Sequence, residues 1–113
     1  MCVNRINFFL IFLVFAFLGC EAQKKISVTC VDAETKERLE NVHVLIEAGK
    51  NGDYTKSGAE GDTDEQGNFE TDIMIGCSFG CYDIYVTYSK EGYQTKKDFN
   101  ILEGKIELVR ENI

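Results

Sequence analysis

Residues 26–46 read ISVTCVDAETKERLENVHVLI, and their two ends follow the same rule. Ile26, Val28 and Cys30 alternate with Ser27 and Thr29; Val42, Val44 and Ile46 alternate with His43 and Leu45. Strict period two marks a strand with one buried face. The polar stretch between them, 33–39, is too short for more than a loop turn. The alternation returns in Phe69, Thr71, Ile73 and Ile75, then in Tyr82, Ile84, Val86 and Tyr88, and closes with Ile106 and Leu108. Turn formers separate these runs: Lys50-Asn51-Gly52-Asp53, 58–61, Gln66-Gly67-Asn68 and Glu91-Gly92. Short strands at this spacing imply an all-β sandwich or barrel. No internal repeat and no low-complexity tail interrupts them.

The first twenty residues belong to a different economy. Arg5 precedes an apolar run over 8–18, followed by Gly19-Cys20. A membrane-crossing helix needs about 20 apolar residues. A run of this length behind a positive charge is an export signal, expected over 1–19. Phe17-Leu18-Gly19-Cys20 resembles a bacterial lipobox, which implies diacylglycerol on the Cys20 sulfur and cleavage just before it. The alternative is ordinary cleavage, for instance after Ala22, leaving a soluble secreted chain. Residues 20–24 are expected to form the anchor and a short linker, with the folded domain over 25–110.

Removing residues 1–19 takes Arg5 away and leaves 19 acidic side chains against 11 basic ones, a net charge of −8. Nucleic-acid affinity rests on Lys and Arg neutralising phosphates, so no nucleic-acid partner is expected. An anionic lipid surface would repel the domain as well, leaving the acyl chains to hold it on the membrane. A chain this short has a small core, of the kind that often carries a covalent staple. Cys20, Cys30, Cys77 and Cys81 survive cleavage. With Cys20 lipidated, three thiols remain, so at most one bridge forms within the chain. Zinc needs about four ligands, and His43 is the one histidine available to join these cysteines. No metal site and no cofactor are expected.

Four segments carry a resemblance: VDAETKERLENVHVLI (31–46), TDEQGNF (63–69), YDIYV (82–86) and KEGYQT (90–95). In order and spacing they resemble the carboxypeptidase regulatory-like domain, over roughly residues 25–110. The resemblance implies a seven-stranded, transthyretin-like (prealbumin-like) β-sandwich without catalytic activity. It also implies a setting beside peptidases, before outer-membrane receptors, or alone in small lipoproteins. Arg38-Leu39-Glu40-Asn41 stands where that family commonly has Pro-Leu-x-Gly, so Asn41 is expected to take the left-handed conformation. Gly67 is expected to do so in its hairpin, and the Tyr93 ring to cover one end of the sandwich with its hydroxyl wet.

Gly76-Cys77-Ser78-Phe79-Gly80 fits G-x-S-x-G, the nucleophile elbow of serine hydrolases. That elbow needs a following helix and a histidine later in the chain. Neither exists here, and His43 is expected to face solvent from a strand. Cys77–Cys81 is the favoured bridge, with Cys30 as a buried thiol; a bridge from Cys30 to Cys77 or Cys81 is the alternative. The acidic stretch 60–67 has the start of a calcium loop but not its twelfth-position glutamate, so a solvated hairpin is expected. Tyr54, Phe79, Tyr85 and Tyr93 are candidates for a binding surface. The expected function is a lipid-anchored, non-catalytic envelope module on the outer membrane, binding an envelope protein or glycan. Self-association through open strand edges is the alternative.

Overall fold

The computed structural model describes residues 21–77 and 80–111. Seven strands lie among them: β1 (Glu21–Asp32), β2 (His43–Lys50), β3 (Asp53–Asp62), β4 (Asn68–Gly76), β5 (Asp83–Ser89), β6 (Lys96–Phe99) and β7 (Glu103–Leu108). They form two sheets, one ordered β4-β1-β7 and the other β3-β2-β5-β6. The all-β, seven-stranded sandwich stands, with no helix among the described residues. β1 runs antiparallel to β4 and parallel to β7, so the first and last strands lie side by side. All neighbours in the larger sheet are antiparallel.

Period two has its physical reason in the core. Ile26, Val28 and Cys30 point inward from one sheet, and Val44, Ile46, Ile84, Val86 and Tyr88 from the other. Burial in this apolar setting pushes the free Cys30 thiol up to about 12. Such a thiol packs as a small hydrophobe and holds its proton. Val31 departs from alternation and is also buried, because Arg38 bridges back to it and the 33–41 loop folds over β1. Leu39 closes the core from that loop.

The turns follow their residues. Asn51 (φ 57°) and Gly52 (φ 86°) both take positive φ, as a two-residue β2–β3 hairpin requires. Asn41 is left-handed as expected (φ 61°), and buried Thr63 pins it. The Thr63 hydroxyl donates to the Leu39 carbonyl (2.7 Å) and accepts from the Val42 N–H (2.9 Å). Gly67 (φ 78°) turns the chain into β4, and its carbonyl accepts the Cys30 N–H.

Tyr88 is fully buried, and its hydroxyl has no hydrogen-bond partner among the described residues. Burial and the neighbouring Cys30 raise its phenol far above the ordinary value. An unpaired buried hydroxyl costs free energy. Tyr88→Phe is therefore expected to leave the fold intact and stabilise it by about 1 kcal/mol in urea unfolding; a loss of stability would contradict this reading.

Residues 21–24 correct one expectation. They are not a linker: Glu21 pairs with Gly76 and Lys24 with Ile73, so residues 21–24 are already part of the β1–β4 ladder.

Candidate functional site

Three constellations lie outside the core, and their separation decides what each can do. The first is the G-x-S-x-G turn. Cys77 and Cys81 are joined, with Cα atoms 3.8 Å apart, closer than the 4.4–6.8 Å usual for a disulfide. The local pairing is the one formed, and Cys30 stays free. Gly80 (φ 96°) turns the loop, and its carbonyl accepts from the Lys50 ammonium at 3.2 Å. Ser78 and Phe79 lie outside the described residues, as does Cys20. The turn joins the end of β4 to the start of β5, beside the end of β2 where Gly49 pairs with Asp83.

His43 sits at the opposite end of β2, paired with Ser89. Its two nitrogens face two carboxylates on β3, Nε2 to Glu60 (2.9 Å) and Nδ1 to Asp62 (3.1 Å). The Asp62 contact raises the imidazole above its ordinary value; desolvation opposes it, and the Glu60 contact adds to it. The contact therefore stabilises the fold below the ordinary histidine pKa and fades as pH rises through the raised one. The pairing is solvent-exposed, so it is weak. A histidine held this way, a full strand length from the cysteine turn, cannot act as base there. Among the described residues no three His, Cys, Asp or Glu side chains converge as metal ligands. In the acidic hairpin, Asp64 uses its carboxylate on the Gln66 and Asn68 N–H groups, both at 2.9 Å.

The second constellation is an aromatic strip on the outer face of the four-stranded sheet. Tyr85 points outward from β5 between inward Ile84 and Val86. Tyr54 of β3 meets it edge to face, ring centroids 5.0 Å apart at 87°. Phe99 of β6 lies opposite Tyr85 in register, 5.1 Å away at 51°. The Lys97 ammonium sits 4.8 Å over the Tyr85 ring, a cation–π contact. Tyr54 and Tyr85 are half-buried by their neighbours, whereas Phe99 is 50% exposed. Burial beside Tyr85 also raises the Tyr54 phenol. The rings are far from coplanar, so they do not make the flat stacking platform that a sugar ring favours. They present an uneven apolar surface with the Lys97 ammonium at its rim.

The third constellation is built on Tyr93 and stands outside the aromatic strip. Its ring packs half-buried against the core, and its hydroxyl is not wet: it donates to Asp32 Oδ2 at 2.7 Å. Arg110 Nε donates to the same oxygen at 2.7 Å, and the Glu34 and Thr35 N–H groups donate to Asp32 Oδ1. Asp32 is 1% exposed, so the four donors satisfy an otherwise costly buried carboxylate. The Arg110 contact first, then the Thr35 N–H and the Tyr93 hydroxyl, hold it well below the usual carboxylate range. This clasp ties the loop after β1, the turn before β6 and the segment after β7.

Sequence reasoning brought together Tyr54 and Tyr85 without their neighbour Phe99. That ring lies on a four-residue strand too short to show alternation.

With this geometry in place, comparison with known proteins bears on the fold. No family model matches the sequence, and no curated protein matches it. Among solved structures, the C-terminal domain of the shaft pilin SpaA from Lactobacillus rhamnosus GG is similar at 14% identity and TM-score 0.54, over 80% of this chain and 99% of that one. A longer SpaA structure, a single-substitution variant, is similar at 14% identity and TM-score 0.57, over 81% of this chain and 48% of that one. The chain thus spans about half of the longer pilin structure. What they share is the sandwich.

Proposed function

We propose that this chain is an exported, non-catalytic β-sandwich module of the bacterial cell envelope. It is anchored through a lipid on Cys20 and binds an envelope protein through the strip formed by Tyr54, Tyr85 and Phe99. The strip carries the reading: three aromatic side chains from three strands meet on an outer sheet face, where folding alone does not require them. Its lack of coplanarity favours a protein over the glycan also considered above. The non-catalytic part is supported by the distance between His43 and the cysteine turn. A sandwich shared with shaft pilin domains and the four segments resembling carboxypeptidase regulatory-like domains agree with it.

Address follows from the N-terminus. The lipobox-like Gly19-Cys20 favours lipidation. Glu21, rather than aspartate, behind the lipidated cysteine favours delivery to the outer membrane. With Glu21 already in β1, no spacer separates anchor from domain. The strip lies near that end, since Tyr85 is two residues past the start of β5, which follows the turn beside Gly76. A membrane-bound partner is therefore within reach.

A photo-crosslinking residue at position 99, in cells carrying the processed protein, tests this. The expected result is one discrete protein adduct, reduced at least about fivefold by Tyr85→Ala and absent with the crosslinker at Met74, exposed on the other sheet. Adducts to lipid alone, or equal adducts from both positions, would overturn it.

A further inference from the structure

β1 is longer than the strands that cover it. β4 pairs with it from Glu21 to Thr29, but β7 covers only Ser27 to Asp32. On the β7 side no described strand lies against residues 21–26. The alternation of backbone groups identifies which are open there. The Ser27 N–H donates to the Leu102 carbonyl on the β7 side, and the Cys30 N–H to the Gly67 carbonyl on the β4 side, each at 2.8 Å. Odd-numbered residues of β1 therefore aim their N–H and C=O groups at β7, and even-numbered ones at β4. Glu21, Gln23 and Lys25 present theirs to an edge on which no described strand lies. Exposed Ile101, next to the Leu102 carbonyl that ends the β1–β7 ladder, adds apolar surface beside it.

We infer that this edge pairs with the same edge of a second copy, antiparallel, with Gln23 on the two-fold axis. In that register Glu21 faces Lys25 of the other copy, Gln23 faces Gln23, and Lys25 faces Glu21. Each pair is odd with odd, so the open backbone groups of both strands meet. Each exchanges two hydrogen bonds, and an isologous contact of this kind closes on itself. The opposed charges share the outer, exposed face of β1. Lys25 lies 3.8 Å from Glu70 across the β1–β4 ladder and is exposed enough to serve both carboxylates.

Neighbouring registers are poorer. Moving the axis to Lys24 sets Lys24 against Lys24 and needs the Ser27 N–H that Leu102 already holds. Moving it to Ala22 leaves Lys25 without its acidic partner. A shift that pairs odd with even residues points half the groups away from the interface.

The incoming strand has room for residue 20 opposite Ile26, and residue 19 would meet the start of β7. Pairing thus follows removal of residues 1–19, and in that respect rests on the processing proposed above. The two-fold places both anchors near the middle of an elongated dimer lying along the membrane. Net charge opposes association, so pairing strengthens with salt up to about physiological strength.

The test is Gln23→Cys in the processed protein, purified from membranes in mild detergent, its mass confirming the start at residue 20. Directly opposed residues of a hydrogen-bonded pair lie about 5.5 Å apart, within disulfide reach. A disulfide-linked dimer is expected on a non-reducing gel. Adding Lys25→Glu should cut its yield at least about fivefold, and adding Glu21→Lys to that pair should restore it. No cross-linked dimer, an equal yield from Met74→Cys, or a yield indifferent to the charge exchange would each overturn the inference. A mass showing residues 1–19 retained would instead remove the processing reading, and pairing with it.

Discussion

Asp32→Ala is expected to lower Tm by about 10 °C or more. The carboxylate is the single acceptor on which the Tyr93 hydroxyl, the Arg110 guanidinium and the Glu34 and Thr35 N–H groups converge. Deleting it leaves a half-buried phenol and two turn N–H groups without their acceptor, and releases the segment after β7 from the loop after β1. Tyr93→Phe removes one donor and should cost clearly less. The pH dependence carries the same signature. Because the native Asp32 pKa is depressed, its contribution is fully present above the ordinary carboxylate pKa, about 3.9. It is lost as pH falls further toward the native value. The Tm difference between the wild type and Asp32→Asn should therefore be constant from pH 7 to about pH 5 and shrink below about pH 4. A difference that grows in acid would contradict the clasp.

Gly49→Ala is expected to destabilise the domain by about 3 kcal/mol, or about 10–20 °C in Tm. β2 bulges at Ala48, which pairs with both Ser57 and Thr55, and this brings the Gly49 and Asp53 backbones together. A Cβ on Gly49 would fall 1.7 Å from the Asp53 carbonyl oxygen and 2.7 Å from the Tyr54 Cα. Both are backbone atoms, so no rotamer change relieves the contact. The hairpin must open, and Tyr54 moves with it. Loss of Tyr54 fluorescence transfer to a label at position 99 would report the strip coming apart; unaltered stability would refute the bulge geometry.

Strands were legible where the sandwich buries one face. Ile26 to Cys30, Val42 to Ile46, Ile73 and Ile75, and Ile84 to Tyr88 carry period two because they line a common core. β3 was not legible, since its sequence DYTKSGAEGD is mostly exposed and small or polar at an edge of the larger sheet. β6 is four residues long at the other edge. Its Lys97 sits over the Tyr85 ring, a contact that only the fold creates. The missing Phe99 of the strip follows from the missing β6. Tyr93 misled for another reason: its wet hydroxyl assumed that Asp32 was an ordinary loop acid. Two of its four donors, Tyr93 and Arg110, come from positions 61 and 78 residues away, a convergence visible only in three dimensions. By contrast, the turn chemistry of Asn41, Asn51-Gly52 and Gly67 is local, and the residues announced it.

The proposed anchoring at Cys20 underlies the proposed address, the reach of the aromatic strip and the room for β1 pairing. The most direct measurement is the intact mass of the mature protein from the membrane fraction, alkylated with and without prior reduction in denaturant. The expected species starts at an acylated Cys20, with one thiol alkylated before reduction, Cys30, and two more, Cys77 and Cys81, only after it. An unacylated species in the soluble fraction would contradict the anchor and free Cys20 to pair.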